Sequence, residues 1–281
     1  MSSPSTLARV ARSLRFLRHV RGWQGAANRL AARSGSFVVN NGKTRMAGDL
    51  SSFIDRQVFL FGGYERDQIS QFVRAAPRHT TVLDVGANVG NHSIEFSRAF
   101  DKVHAFEPNP VLWPAFERNV ALNPDADIEL HRIGLSDTMA ELPLLNIDNG
   151  NLGLATFLDV DQYERPLREV ARARVERADD YLGEIAVDAV KIDVQGFEPQ
   201  VLRGMPKLLE RCRPVVWAEF SSGTISQTYG DRALIEELFP YPVALSRFEV
   251  EERAISRRII LVPYGSREIE QGDYVISPAD S

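Results

Sequence analysis

Cysteine and long apolar runs are what this 281-residue sequence has least of. Its single cysteine, Cys212, excludes an internal disulfide and is typical of a protein from a reducing compartment. The sequence has no apolar run of the 18 or more residues that a bilayer-spanning helix requires, and the first thirty residues lack the apolar core of a secretory signal. These absences favour a cytoplasmic location, although a cleaved transit peptide would have a similar N-terminal composition.

Acidic residues are absent from residues 1–35, which carry seven arginines. The remainder is acidic, with 26 basic against 38 acidic residues. Apolar residues in this leader recur at helical spacing in two stripes: Leu7, Val10, Leu14 and Leu17 in one, Phe16, Val20 and Trp23 in the other. The pattern predicts a basic amphipathic helix. Through residues 7–33 it could lie on an anionic membrane, dock on its own domain, or pair with a second subunit in a homo-oligomer. Nucleic acid is an unfavoured partner, because the acidic body would repel phosphate.

Glycines are also missing where a dinucleotide site would need them. An apolar stretch at 81–85 runs into Gly86, and the G-x-G-x-x-G fingerprint of NAD-binding proteins would then require glycine at 88 and 91. Both positions are asparagine, which disfavours a nicotinamide-dependent oxidoreductase. After Gly90 the chain also lacks the Gly-Lys-Ser/Thr ending of a phosphate-binding loop. What remains is D-x-G-x-x-x-G, in which the backbone can approach a small zwitterion and Asp84 can take up an ammonium group directly or through water.

A second acid completes a nucleoside-binding signature. Glu107 follows the apolar run 102–106, lies 21 residues after Gly86 and precedes Pro108. In a parallel α/β sheet, ligands bind beyond the carboxyl ends of the strands, and an acid at this spacing binds ribose hydroxyls. A ligand with an amino acid at one end and a ribose at the other fits both features. S-adenosylmethionine is such a ligand.

Strands and helices alternate after Pro77, as in a parallel α/β sheet. The predicted strands are 81–85, 102–106, 127–133, 187–193 and 214–220, and the predicted helices are 91–99, 110–122 and 198–211. Upstream, Asn41-Gly42 predicts a hairpin turn, followed by a short helix and a helix at 64–76. Three C-terminal segments read as antiparallel strands: 241–249, 257–263 and 272–277.

Residues 138–180 break this alternation. Their centre, 148–153, is rich in turn residues, and 164–177 is heavily charged. We therefore predict a lid or acceptor loop here. The whole chain is divided into a basic N-terminal helix at 1–35 and one catalytic domain at 36–281.

Five blocks of sequence carry a family resemblance. In chain order they are LDVGANVGNHS, FEPNP, GLSD, VKIDVQGFEPQVLRG and RPVVWAEF. Together they resemble the FkbM-type methyltransferases, a branch of the class I S-adenosylmethionine-dependent methyltransferases. One block departs from the family: its usual I-D-x-E-G has glutamine here, Gln195, in place of the acid.

The resemblance implies a fold, a cofactor and a substrate class. The fold would be an α/β, Rossmann-like sheet, mostly parallel with an antiparallel C-terminal edge and helices on both faces. The cofactor would be S-adenosylmethionine, and the acceptors would be hydroxyls of sugars, glycolipids or natural products. The residues expected to bind the cofactor are Asp84, Gly86, Asn88, Gly90 and Glu107, with Ser136 and Asp137 near the adenine.

The expected catalytic groups are carboxylates. Asp193 ends an apolar strand and should lie beside the sulfonium, as the base or as the group that orients the acceptor hydroxyl. Glu198, in the first turn of the next helix, is the second candidate, unless it only stabilises that helix end. Glu219 could line the same cleft or pair with an arginine. His92, at a helix start that favours a neutral imidazole, could act as a base or simply pack.

We predict no metal site, because H-E-x-x-H, C-x-x-C and calcium-loop patterns are absent. Asp193, Glu198 and Glu219 could together hold magnesium, but the amide of Gln195 argues against it. The histidines at 104 and 131 lie within predicted strands and receive no role. The substitution at 195 also leaves open a binding module that has lost catalysis.

Overall fold

The computed structural model describes residues 3–20, 22–31, 35–42, 44–147, 155–158, 167–228, 230–252 and 256–279. The helices are α1 (Thr6–Ser13), α2 (Trp23–Ala31), α3 (Phe53–Phe61), α4 (Arg66–Ala75), α5 (Asn91–Phe96), α6 (Trp113–Ala121), α7 (Ala178–Tyr181), α8 (Glu198–Arg203), α9 (Pro206–Cys212), α10 (Ser222–Thr228) and α11 (Arg232–Glu236). The strands are β1 (Ser36–Asn40), β2 (Arg45–Asp49), β3 (Thr81–Val85), β4 (Lys102–Phe106), β5 (Ile128–His131), β6 (Gly134–Leu135), β7 (Ala140–Ile147), β8 (Leu167–Glu176), β9 (Ala189–Ile192), β10 (Val215–Phe220), β11 (Val243–Glu252), β12 (Arg257–Pro263) and β13 (Gly272–Pro278).

An eight-stranded sheet forms the centre, in the order β12-β11-β13-β10-β9-β3-β4-β5. The strands from β10 to β5 are parallel, whereas β13, β11 and β12 are antiparallel to their neighbours. Alternate residues of each strand face opposite layers: Leu83 and Val85 pack with α8 and α9, and Val82 packs with α4 and α5. The predicted fold is confirmed, including its antiparallel C-terminal edge and its helices on both faces.

The order in which strands are added to the sheet reverses at β3. The chain continues from β3 through β4 to β5 on one side, whereas β9 and β10 lie on the other side of β3, so the carboxyl ends of β3 and β9 are adjacent. This is the topological switch point at which open α/β sheets bind ligands. The two strand ends are in close contact: the Asp193 N–H donates to the Val85 carbonyl at 3.0 Å, and a Cβ on Gly86 would lie 1.9 Å from the Asp193 carbonyl oxygen. Gly86 has φ +84°, and no side chain would fit there.

The predicted loop at 138–180 is wrong over much of its length. Strands β7 and β8 pair antiparallel and, with β6, form a separate three-stranded sheet. The turn-rich centre, 148–153, lies outside the described residues, as do 159–166. Strand β8 was missed because most of its side chains are exposed, so the alternation of apolar and polar residues that marks a strand is weak. A lid function for the segment stays a prediction.

The predicted helix at 198–211 is divided in two. It ends at Arg203 as α8 and resumes at Pro206 as α9. The helix is interrupted at Gly204. This glycine packs so closely on the segment after β6 that a Cβ at position 204 would lie 1.9 Å from the Ser136 carbonyl oxygen.

The basic leader forms two helices, with a 3-10 turn at Arg15–His19 between them, rather than one. Its fully buried side chains are alanines, which pack with the β1–β2 hairpin and α3: Ala8, Ala11, Ala27 and Ala31. The Arg12 guanidinium also donates to the Phe59 carbonyl of α3. The predicted stripes instead face outward in part, with Leu7 57%, Val10 51% and Phe16 71% exposed. Within the described residues, no helix has the length and apolar character needed to cross a bilayer.

Candidate active site

A cleft opens at the carboxyl ends of β3, β4 and β9. Its opposite wall comes from β7 and the segment 155–158. The lining residues are Gly86, Asn88, Glu107, Pro108, Leu112, Leu144, Ala155, Phe157, Asp193, Val194 and Gln195. Four of the sequence-predicted site residues are therefore together in one place: Gly86, Asn88, Glu107 and Asp193.

Glu107 follows β4 and is 5% exposed. Its Oε2 accepts the Asn88 N–H and its Oε1 accepts the Asn109 N–H, both at 2.8 Å. Burial raises the pKa of Glu107 to about 7, although these two hydrogen bonds oppose the shift. A carboxylate oxygen can accept more than one hydrogen bond, so each oxygen can also accept one from a ligand hydroxyl.

The turn after β3 is shaped by residues with positive φ. Asn88 has φ +53°, a conformation that asparagine tolerates better than most residues, and it presents its N–H to Glu107. Gly90 has φ +84° and caps α5, where a Cβ would lie 3.1 Å from the Phe116 ring. Gly90 therefore supports the turn from behind and does not line the cleft.

Asp84 does not line the cleft either. Its side chain is fully buried, its Oδ2 accepts the Ser93 hydroxyl at 2.5 Å, and its Oδ1 lies 4.0 Å from the Lys191 ammonium. The predicted direct contact with a cofactor is wrong for this geometry, because Asp84 instead pairs with Lys191 beneath the strand ends. A lysine within an apolar strand was the sequence signal for that buried pair, and sequence reasoning missed it.

Ser136 and Asp137 also lie outside the cleft wall. Ser136 is buried, its N–H donates to the Glu176 carbonyl, and its hydroxyl lies 3.3 Å from Asp137 Oδ1. The Asp137 carbonyl accepts from Arg177. These contacts join β6 to β8 and α7, and a role for Ser136 and Asp137 near the adenine stays a prediction.

Asp193 projects into the cleft with 27% of its side chain exposed. Its Oδ2 accepts from Lys191 Nζ at 3.1 Å and its Oδ1 from Gln195 Nε2 at 2.9 Å. Burial alone would raise the pKa of Asp193, but the Lys191 charge and the hydrogen bonds from Glu219, Gln195 and Lys191 hold it below its usual value. This carboxylate is therefore ionised at neutral pH.

Glu219, on β10, behaves in the opposite way. The adjacent negative charge of Asp193, then burial, then the charge of Asp273 raise the pKa of Glu219. Two carboxylates this close cannot easily both ionise, so Glu219 stays protonated and its O–H donates a hydrogen bond to Asp193. Asp273, whose pKa is raised mainly by burial, accepts from the Trp217 indole at 2.8 Å. Glu219 pairs with an acid here, whereas the sequence predicted cleft lining or an arginine partner.

Glu198 is fully buried, and its carboxylate accepts hydrogen bonds from backbone N–H groups. Its Oε1 accepts the N–H groups of Val194 and Gly196, both at 3.1 Å, and its Oε2 accepts the Thr224 hydroxyl. Burial raises the pKa of Glu198 to about 7. Two of these contacts hold the loop after β9 and the third joins α10, so Glu198 is not among the cleft-lining residues. Its role as a catalytic group stays a prediction that these contacts do not support. The same contacts separate it from the postulated magnesium set.

His92 packs rather than lining the cleft. It is 7% exposed, its ring lies edge-on to Trp217, and its Nε2 is 3.0 Å from Glu65 Oε2. Glu65 also raises the pKa of Tyr64, after the larger effect of burial. Neither Tyr64 nor Glu65 was predicted to lie beside His92, because both come from the start of α4, which is remote from His92 in sequence.

A group of metal-ligand type lies elsewhere on the sheet, although the sequence predicted none. His104, Glu129 and His131 each place a ligand atom within 4.8 Å of the others. The sequence signal was weak: Glu129 and His131 are two apart on one strand and so share a face, but His104 is on the neighbouring strand.

A family model described as the methyltransferase FkbM domain matches residues 84–241, more than half of the chain. Methyltransferase 1 of Beauveria bassiana is 28% identical over 173 residues, which cover 54% of this chain and 66% of the relative. The hexuronic acid methyltransferase AglP of Haloferax volcanii is 28% identical over 156 residues, covering 54% of this chain and 61% of the relative. The matches thus span slightly less than two thirds of each relative's length.

Among solved structures, a methyltransferase FkbM from Methylobacillus flagellatus matches with a TM-score of 0.43 and 13% identity. The match covers 79% of this chain and 52% of that one.

Proposed function

The chain belongs to the FkbM methyltransferase family, and from this premise we propose that it transfers the methyl group of S-adenosylmethionine to an oxygen atom. The proposed acceptor is a hydroxyl of a sugar, glycolipid or natural product. The observation that carries the proposal is the arrangement of Glu107 and Asp193 on one cleft at the switch point, with the Gly86 turn between them.

The residues present fit this cofactor. Glu107 offers two carboxylate oxygens for a ribose diol, and Leu112, Leu144 and Phe157 offer an apolar wall for a base. Gly86 lines the same cleft, and its lack of a side chain lets the Asp193 backbone pack directly against it. S-adenosylmethionine, when bound, would supply a methyl carbon already activated by the adjoining sulfonium.

Methyl transfer from a sulfonium needs an acceptor that is well placed and stripped of its proton. In the proposed reaction the acceptor oxygen forms a bond to the methyl carbon as the carbon–sulfur bond breaks. The ionised Asp193 carboxylate accepts a hydrogen bond from the acceptor hydroxyl and orients it, and then takes its proton as the hydroxyl becomes an ether. Glu219 is already protonated and keeps its hydrogen bond to Asp193, so the added proton stays on Asp193 until it is released to water.

Gln195 supports catalysis in this scheme and does not oppose it. Its amide N–H donates to Asp193 Oδ1, and this bond stabilises the ionised carboxylate. This contact disfavours the alternative of a binding module that has lost catalysis.

A saccharide acceptor is the favoured member of the proposed class. The relative from Haloferax volcanii carries hexuronic acid in its name. A sugar ring also suits the carboxylate of Asp193 and the amide of Gln195, which line the cleft.

Calorimetric titration with S-adenosylhomocysteine and with NAD tests the cofactor. We expect the first to bind and the second not to. We further expect Glu107→Ala to weaken binding by about 1.5 to 3 kcal/mol, because hydrogen bonds to a charged group are lost, and Glu219→Ala to weaken it far less. Since the pKa of Glu107 is about 7 and the ionised form is the better acceptor, wild-type affinity should rise as the pH is raised through 7.

Turnover on a panel of monosaccharides, glycolipids and phenolic natural products tests the acceptor. Binding of NAD in place of S-adenosylhomocysteine would favour an oxidoreductase. Cofactor binding without turnover on any member would favour a non-catalytic module, and equal affinities for the wild type and Glu107→Ala would remove the ribose assignment.

A further inference from the structure

Three side chains of metal-ligand type converge on one face of the sheet, away from the cleft lining. His104 Nδ1 lies 2.9 Å from His131 Nε2, and the two rings stack with centroids 5.2 Å apart. The Glu129 carboxylate spans the pair, with Oε2 3.8 Å from His104 and Oε1 4.0 Å from His131. The three come from β4 and its edge neighbour β5, where His104 and Glu129 are register partners.

The spacing is close to that of a tetrahedral zinc site. Zn²⁺ binds imidazole nitrogen and carboxylate oxygen at about 2.0–2.2 Å, which places neighbouring ligand atoms about 3.4 Å apart in a tetrahedron. The observed separations lie on either side of this value: the two histidine nitrogens are 2.9 Å apart, and one Glu129 oxygen lies within 4.8 Å of both. The histidines would have to move slightly apart and the Glu129 side chain would have to move towards them to form the site. Two histidines and one glutamate are an established zinc ligand set with a fourth position open.

The surroundings resemble the outer shell of a metal site. The second ring nitrogen of His131, Nδ1, lies 3.1 Å from the Tyr181 hydroxyl, which can accept an Nδ1–H and so is compatible with the tautomer in which Nε2 ligates. Phe106 stacks on the same ring with centroids 4.6 Å apart and holds its orientation. Glu129 is 52% exposed, which gives an ion a path from solvent.

One neighbour competes with a cation. The Lys102 ammonium lies 3.2 Å from Glu129 Oε2 and 2.8 Å from Asp127 Oδ1. An incoming metal would have to displace this ammonium from Glu129, although Asp127 would retain it. Lys102 therefore lowers the affinity of the site without blocking it.

We propose that His104, Glu129 and His131 form a site for a divalent transition-metal ion of the zinc type, with water as the fourth ligand. The ion would join β4 to the edge strand β5. The site is distinct from the cleft but adjoins it through the backbone, because the Glu107 N–H donates to the His131 carbonyl at 3.1 Å. Its role here is structural: it holds the strand end from which Glu107 enters the cleft.

Calorimetric titration of the metal-free full chain with ZnCl₂ tests the proposal. We expect one Zn²⁺ per chain, and an affinity reduced by about 100-fold or more in Glu129→Gln and in His104→Gln, since even an outer-shell partner contributes 10- to 100-fold. Tyr181→Phe should cost about 10-fold. Lys102→Ala, which removes the competing ammonium, should bind Zn²⁺ more tightly than the wild type.

A matched control is His79→Gln, because His79 is an exposed histidine that contacts the Val73 carbonyl and Phe100. It should leave zinc binding unchanged. Co²⁺ provides a second readout, because a tetrahedral site gives intense visible absorption that the Glu129→Gln chain should lose. Absence of stoichiometric zinc binding would overturn the site, as would equal zinc affinities for the wild type, Glu129→Gln and His104→Gln. None of these outcomes depends on methyl transfer, so the site can fail while the proposed function stands.

Discussion

At the scale of single residues, Gln195 has the most direct effect on the candidate chemistry. It lines the cleft with φ +54° and donates to Asp193, whereas the family motif carries an acid at this position. A glutamate in its place would set a third carboxyl beside Asp193 and Glu219. Like charges at that distance raise the pKa of one another.

We expect Gln195→Glu to shift the acidic limb of the pH profile of kcat/KM upward, because Asp193 would then ionise at higher pH. Activity at neutral pH should change little, because the pKa of Asp193 starts below its usual value. The measurement is the pH profile of the wild type and the variant on one acceptor. The same charge added as Gln24→Glu on α2 is the control, and an unchanged profile in Gln195→Glu would contradict the role given to the amide.

Asp193→Asn tests the proton acceptor itself. The substitution keeps the shape of the side chain but removes its charge, so we expect turnover to fall by about 10²-fold or more, in the range known for loss of a general base. Affinity for S-adenosylhomocysteine should change far less. If affinity and turnover fall together, Asp193 contacts the cofactor and its assignment as the base is removed. Near-normal turnover would remove the carboxylate mechanism.

The cleft residues that could be predicted from the sequence are those that directly follow a parallel strand. Gly86, Glu107 and Asp193 each follow a parallel strand, and strand ends meet at a switch point. Asp84 and Glu198 were misjudged because their partners are remote in sequence. Lys191, the partner of Asp84, is 107 residues away, and Thr224, a partner of Glu198, is 26 residues away. No local sequence pattern contains these contacts. Burial of a carboxylate was foreseeable, but the group that compensates it was not.

At the scale of elements, the N-terminal helices combine a packed inner face with an apolar and basic outer face. The exposed residues Leu7, Val10 and Phe16 alternate with arginines, and residues 1–35 contain no acid. This charge is complementary to an anionic lipid surface, and we propose that surface as the partner of the outer face. Deleting the helices would expose the core beneath α3, so point substitutions are the proper test.

We expect the double variant Leu7→Ser and Phe16→Ser to reduce sedimentation with phosphatidylserine-containing vesicles. Wild-type binding should weaken with added salt, because the arginines act through screened charge. Met139→Ser, which removes an apolar side chain that is 70% exposed elsewhere, is the control. Vesicle binding that is equal in all three proteins would favour a protein partner for this face.

Element boundaries depended on contacts as much as on local sequence. The parallel strands β3 and β4 were predicted to the residue because their apolar runs are bounded by turn residues. The break between α8 and α9 has two causes. Pro206 was a local signal in the sequence that the prediction overlooked, because proline has no N–H to continue a helix, whereas the approach of the Ser136 carbonyl to Gly204 is visible only in the structure. The single predicted leader helix failed for a similar reason: the alanines, not the larger apolar residues, face the core.

At the scale of the whole molecule, the two halves of the sheet meet at Gly86. We expect Gly86→Ala to lower the melting temperature strongly and to abolish cofactor binding, since its Cβ would collide with the Asp193 backbone and force β3 away from β9. Gly183→Ala is the matched control: Gly183 also has positive φ, +62°, but nothing lies within 4 Å of its Cβ position. Both variants carry the strain of a left-handed alanine, about 1–2 kcal/mol, so equal losses in thermal unfolding would show that the collision is relieved.

Strand β13 occupies the place between β10 and β11, both of which precede it in the chain. During translation β10 and β11 are therefore synthesised before β13, the strand that pairs with both of them. Until Pro278 has been made, β10 and β11 each have an unpaired edge, and Tyr274 and Val275 are missing from the layers on the two faces of the sheet. Such edges invite pairing with other chains. We infer that the nascent chain depends on chaperones at this stage, and that a premature stop codon before Gly272 yields aggregated rather than partly active protein.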